Sequence, residues 1–173
     1  GVVEDALPEG AMTRRVRAVP PVEGAEYYRY DGASRAQGRG GAGEAGWGAA
    51  WWPAETAGTG PPAATATGYL GRGVSNNVSE YSGLRACLQR AVERARRNHP
   101  MGPVVVQGDS MLTTQQLSGR WGCRSPALLG HFEECCKLAK ELSGRGVDLR
   151  VEHIYREFNT VADALPNEAV DRG

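Results

Sequence analysis

Pro103-Val-Val-Val-Gln-Gly-Asp-Ser110 opens with a short, unbroken apolar run and closes on a glycine, an acid and a serine. A strand with one wet face alternates apolar and polar residues, whereas a strand covered on both faces reads as an unbroken apolar run. The run therefore predicts a central parallel strand with helices on either side of it. Functional groups in such sheets gather at the carboxyl ends of the strands, which is where Asp109 falls.

The flanking sequence supplies the helices. Upstream, Leu84, Leu88, Ala91 and Ala95 recur on one helical face, with Arg85, Arg90, Arg94, Arg96 and Arg97 on the rest, read as a solvated face. Asn76 or Asn77 can cap this helix, Glu80 is read into its first turn, and NHPMGP (98–103) ends it. Downstream, residues 110–118 read as a short helix and SGRWGCRSP (118–126) as a loop in which Trp121 covers the core. Ser125 with Pro126 opens another helix, to about Ser143. VDLRVEHIY (147–155) alternates as a strand, and Asn159 caps a last helix that carries Asp163. Pro166 should kink or break that helix, because proline removes one of its hydrogen bonds.

Further upstream, EYYRYDGAS (26–34), GWGAAWWP (46–53) and TATGYLGRG (65–73) read as three strands joined by glycine-rich turns, an antiparallel meander. Trp47, Trp51 and Trp52 are packing residues of the second strand. The element order is βββαβααβα. It predicts an α/β fold: a mixed five-stranded sheet, three antiparallel strands then two parallel, with helices on both faces.

The 173 residues suit one domain at 26–173, preceded by a flexible arm or linker at 1–25 that lacks periodicity and carries Pro8, Pro20 and Pro21. Twenty bases balance twenty acids, so bulk charge does not announce a partner. No apolar run approaches the length of a membrane helix, and the opening residues do not read as a signal peptide. Cys87, Cys123, Cys135 and Cys136 have neither zinc spacing nor a disulfide pattern, so free thiols and an intracellular setting are expected. The domain is expected to be a monomer or part of a larger polypeptide, without membrane contact.

Four acids stand at informative places: Asp31 in the first strand, Glu80 at the start of a helix, Asp109 after the apolar strand, Asp163 early in the last helix. Singly, each has an ordinary reading as a turn, cap or solvated acid. If the first and fourth strands are neighbours, all four converge. Clustered carboxylates repel, and burying them unpaired is expensive. Hard divalent cations resolve the conflict, and two Mg²⁺ ions, with Mn²⁺ as substitute, suit phosphodiester hydrolysis.

YDGAS followed by a glycine-rich loop, NNVSE, VVVQGDS and REFNTVADAL resemble the motifs of type 1 ribonuclease H, over about residues 27–171. The resemblance implies an endonuclease that cuts the RNA strand of an RNA–DNA hybrid, leaving 5′-phosphate and 3′-hydroxyl ends. It makes Asp31, Glu80, Asp109 and Asp163 the metal ligands and catalytic acids, and maps the family's groove-reading asparagines onto Asn76 and Asn77. Gly32, Ala33, Ser34 and Gly38 offer main-chain groups to a wide, shallow minor groove, with Ser75, Ser110 and Thr114 as further substrate candidates. The segment 118–126 is too short for the family's basic protrusion, and no histidine stands in a loop before the last helix. Both point to the archaeal and plant reverse-transcriptase-like branch, whose pattern H-V-x-R-E-x-N-x-x-A-D resembles residues 153–163. Water activation is then expected from metal, and His153 is expected to pack at a sheet edge. Three alternatives stay open: a 3′–5′ exonuclease or integrase-like nuclease, disfavoured because Ala33 replaces the second acid of a DxE pair; the ribonuclease H part of a retroelement polyprotein; and a catalytically silent hybrid-binding module.

Overall fold

A computed structural model describes residues 21–35, 43–98 and 101–172. Most of the arm, Gly38 and His99 lie outside them. The chain runs β1 (Glu26–Ser34), β2 (Glu44–Trp52), β3 (Ala64–Arg72), α1 (Asn76–Arg97), β4 (Val104–Gly108), α2 (Met111–Leu117), α3 (Pro126–Gly144), β5 (Leu149–His153), a 3₁₀ turn (Arg156–Phe158) and α4 (Thr160–Arg172). The five strands form one sheet in the order β3-β2-β1-β4-β5. β1 pairs antiparallel with β2 and parallel with β4, so the meander and the parallel half meet at the centre as expected. All five residues of β4 are buried, which is why its sequence carries no alternation.

Two cores hold the layers. On one face, Leu84, Leu88, Ala91 and Ala95 of α1 are fully buried against Tyr28, Tyr30 and Ala49, with Leu142 of α3 behind them. Each leucine buried this way contributes about 1.5–3 kcal/mol before entropy is counted. On the other face, Leu165 of α4 meets Ala50, Trp52 and Val105. α4 lies close to β2 because two small residues admit it. A Cβ at Gly48 would stand 2.2 Å from Leu165 Cβ, and one at Gly46 would stand 2.7 Å from the Pro166 carbonyl.

The structure corrects several local expectations. Ser75 caps α1, its Oγ accepting from Val78 N–H at 3.2 Å, so the cap is neither Asn76 nor Asn77. Glu80 is the fifth helical residue, one turn further in, and faces the sheet. α4 continues through Pro166 to Arg172 without a break. Pro166 is buried beside Gly46 and Gly48, where the helix packs on the sheet. Trp121 is 46% exposed and covers no core. The arginine face of α1 is only partly solvated: Arg94 forks onto Glu26 at 2.6–3.0 Å, Arg90 and Arg94 lie over the Trp51 ring, and Arg96 pairs with Glu141 at 2.8 Å. Before β1, Ala25 is fully buried and Val22 packs on the second core, with Val22 N–H donating to Tyr27 Oη at 2.8 Å.

Candidate active site

Four elements deliver the acids. Asp31 sits mid-way along β1, opposite Gly48 of β2. Asp109 follows directly on β4, the parallel neighbour of β1. Asp163 lies in the first turn of α4, its N–H donating to the Asn159 carbonyl at 2.9 Å. Asp31, Asp109 and Asp163 each place a carboxylate oxygen within 4.8 Å of the others, a spacing that suits a shared cation. Glu80 joins from α1 through a hydrogen bond with Asp31. The four residues singled out in the sequence are thus brought together.

Glu80 gets there because β1 and α1 touch backbone to backbone. A Cβ on Gly32 would stand 2.4 Å from Glu80 N, so only glycine allows the approach. The Gly32 N–H then donates to both acids, at 2.9 Å to Asp31 Oδ1 and 2.7 Å to Glu80 Oε1. Gly32, read from the sequence as a substrate contact, has this structural task as well.

The cluster is short of compensating charge. Burial first, then the hydrogen bond and charge of Glu80, push the Asp31 carboxyl up to about 10. Burial pushes Glu80 up to about 7 despite its bonds to Asp31 and the Gly32 N–H. Asp109 is raised by burial, against the pull of Arg156 and Asn159. Glu80 Oε2 and Asp109 Oδ2 are buried without a hydrogen-bond partner. Two orphaned carboxylate oxygens beside a third and a fourth acid are the donor set a hard divalent cation requires, so the residues fit a metal site.

The other candidates are sorted by what their side chains touch. Asn76 and Asn77 are exposed at the start of α1, and Asn76 Oδ1 accepts from Ser34 N–H at 2.7 Å. Ala33, Ser34 and Ser110 are half-buried around the cluster, and Ser110 caps α2 by accepting from Thr113 N–H at 3.2 Å. Thr114 is a correction. It is 3% exposed and its hydroxyl donates to the Ser110 carbonyl at 2.8 Å, so it supports α2 and offers nothing to a nucleic acid.

Sequence reasoning passed over Arg156 and misread Asn159. Arg156 is 81% exposed with Nε 3.9 Å from Asp109 Oδ2, a cation held at the rim of the acids. Asn159 is buried, and its side chain does not cap α4: Nδ2 donates to the Tyr30 carbonyl at 3.0 Å. Both stand in the quoted 153–163 segment, but nothing in residue type or spacing separates them from an ordinary turn. His153 ends the edge strand β5, half-buried, with its ring edge-on to Tyr155 and bonded to the Asp109 backbone.

Known proteins resemble this chain in sequence and fold. The reverse-transcriptase-like family matches residues 60–169. A ribonuclease HI of Halobacterium salinarum is 32% identical over 163 residues, covering 94% of this chain and 73% of that protein. The chain belongs to the ribonuclease H family. A bifunctional protein of Mycobacterium tuberculosis is 36% identical over 141 residues, 82% of this chain but 34% of its own length. The chain thus spans about a third of that relative, and the solved structure of the relative's N-terminal ribonuclease H domain superposes with a TM-score of 0.69 at 34% identity, over 86% of this chain and 94% of that one. LC11 ribonuclease H1, solved in complex with an RNA/DNA hybrid, superposes with a TM-score of 0.68 at 30% identity, over 85% and 97% of the two chains. Among the described residues, no helix of this ribonuclease H family member is long and apolar enough to cross a membrane.

Proposed function

We propose that the chain hydrolyses the RNA strand of RNA–DNA hybrids at the cluster Asp31, Glu80, Asp109 and Asp163, leaving 5′-phosphate and 3′-hydroxyl ends. The observation that carries this reading is the convergence of three aspartates within 4.8 Å, with buried oxygens of Asp109 and Glu80 left without a hydrogen bond, in a ribonuclease H fold. Two Mg²⁺ ions, for which Mn²⁺ can substitute, would supply charge for the attacked phosphate and leaving oxygen and lower the pKa of water.

The chain's own contribution is positional. Asp31, Asp109 and Asp163 would hold the ions, and Glu80 would complete the set while Gly32 N–H fixes its orientation. Arg156 stands at the rim, where its exposed guanidinium can fork onto a phosphate. Asn76 and Asn77 present amide donors and acceptors toward base edges and sugars of a minor groove, with main-chain groups of Gly32, Ala33 and Ser34 beside them and Ser110 across the cluster. Gly38 belongs to this proposed contact set and lies outside the described residues. The domain at 26–173, onto which Val22 and Ala25 at the end of the 1–25 arm are packed, acts as a monomer or as part of a larger polypeptide. An intracellular setting accords with four free cysteines.

The test is a labelled RNA–DNA hybrid, RNA duplex and DNA duplex, each with Mg²⁺, Mn²⁺ or chelator. Cleavage of only the RNA strand of the hybrid, only with metal, is expected. Equal cutting of the DNA duplex would rule the reading out, and tight hybrid binding without any cutting would favour a silent binding module.

A further inference from the structure

Asn159 is fully buried, and its amide reaches back from the start of α4 to β1. Nδ2 donates to the Tyr30 carbonyl at 3.0 Å, one residue before Asp31, and the amide stands close enough to the Asp109 carboxylate to favour its charged form. Its backbone begins α4: the Asn159 carbonyl accepts from Asp163 N–H at 2.9 Å, and its own N–H donates to the Arg156 carbonyl at 2.9 Å. One residue therefore touches the strand of Asp31, the side chain of Asp109, the helical turn of Asp163 and the turn of Arg156. Asn159 Oδ1, meanwhile, is buried without a partner. A flipped amide would set oxygen against the Tyr30 carbonyl, so the donor role fixes the orientation and leaves the acceptor orphaned. A residue serving the core alone would be apolar here and would avoid that penalty.

We propose that Asn159 is a positioning residue for the metal site, holding the Asp109 carboxylate and the start of α4 against the end of β1 at the spacing a divalent ion needs. It acts through Asp109 and touches neither substrate nor ion. The proposal rests on the metal-site reading above.

The test is Mn²⁺ titration of the full chain by calorimetry, without substrate, for wild type, Asp109→Asn, Asn159→Ala and the double variant. Asn159→Ala should keep a cooperative melt and weaken Mn²⁺ binding about tenfold, the usual scale for a partner that orients a ligand. In the Asp109→Asn background the same change should add little, because the group it orients has already lost its charge. Mn²⁺ affinity of Asn159→Ala within about twofold of wild type, or an undiminished loss in the double variant, would overturn the proposal. Should Asn159→Ala not fold, Asn159→Ser takes its place, and failure of both to fold would assign the residue to the fold and overturn the proposal too. Wild type without Mn²⁺ binding, or Asp109→Asn with wild-type binding, would overturn the metal reading itself. A weakened Asp109→Asn beside an unaffected Asn159→Ala strikes the positioning role alone.

Discussion

Gly32 donates its backbone N–H to Glu80 Oε1 at 2.7 Å across the junction of β1 and α1, and it does so because it has no side chain. Alanine at 32 would set a Cβ 2.4 Å from the Glu80 nitrogen, and backbone cannot yield there as a flexible side chain would. Gly32→Ala should therefore push α1 away from β1, destabilise by about 1–3 kcal/mol, and remove Glu80 from the acid cluster. Urea unfolding together with hybrid cleavage checks both parts. A variant of wild-type stability and activity would show that the helix does not depend on this contact.

Asp109→Asn should keep the fold and remove most of the cleavage. It deletes a charge from a half-buried group beside two other aspartates while changing the shape little. Loss of several kcal/mol of transition-state stabilisation corresponds to more than about 100-fold in rate. Without metal the variant should melt higher than wild type, because repulsion within the cluster falls. Near-full Mg²⁺-dependent activity in the purified variant would remove Asp109 from the site.

The metal-free chain should lose stability as pH rises. Asp31 and Glu80 hold their protons to about 10 and about 7 in the folded state, against about 3.9 and 4.3 for exposed carboxyls. The folded state thus binds more protons than the unfolded one across this interval, and stability falls with each step upward. The contribution is complete below about pH 4 and is lost progressively toward pH 7 and beyond. Glu141 has the opposite sign: Arg96 and Arg145 hold it down to about 2, so its contribution is lost in strong acid. Melting curves in chelator should show a decline from pH 5 to pH 9, and Mg²⁺ should raise the melting temperature more at pH 8 than at pH 5. A flat metal-free profile would mean that the acids are not buried together.

What the sequence disclosed and what it hid divide along physical lines. β4 was legible because burial on both faces leaves three successive valines with no alternation, and the pairing of β1 with β4 followed from topology. The acids were legible only as a set, in order, on the right elements. Thr114 was misassigned because a threonine four residues past a cap bonds back to its own helix, a local preference that its sequence position does not reveal. Asn159 was read as a cap because asparagine before a helix usually is one. Its actual partner, Tyr30, is 129 residues away, and no local rule anticipates such a pair.

Asn76 and Asn77 should separate in their effects. Asn76 accepts from Ser34 N–H at 2.7 Å and so ties α1 to the end of β1, whereas Asn77 is exposed and, among the described residues, no such bond engages it. Asn77→Ala should weaken hybrid binding with the melting temperature unchanged. Asn76→Ala should weaken both, by about 1 kcal/mol in stability. Fluorescence anisotropy with a labelled hybrid, in Ca²⁺ or chelator to prevent cutting, reads the first effect. Unchanged affinity in the double variant would exclude both asparagines from the interface.

His153→Ala should cost stability and spare turnover. The ring lies at the end of the edge strand, 5.7 Å centroid to centroid from Tyr155 and bonded to the Asp109 backbone, so it supports the chain that carries an acid. Burial pushes its pKa below the ordinary histidine value, against the pull of Asp109. It occupies a strand in the sheet, and such a position cannot swing to collect and deliver a proton as a loop residue can. The loss should be about 1–2 kcal/mol, one buried hydrogen bond and one ring contact. Turnover at saturating Mg²⁺ should stay within a few-fold, and the pH–rate curve should lack a break near the unperturbed histidine value of about 6.5 in wild type and variant alike. A large fall in turnover with the melt and Mn²⁺ binding intact would make His153 part of the chemistry.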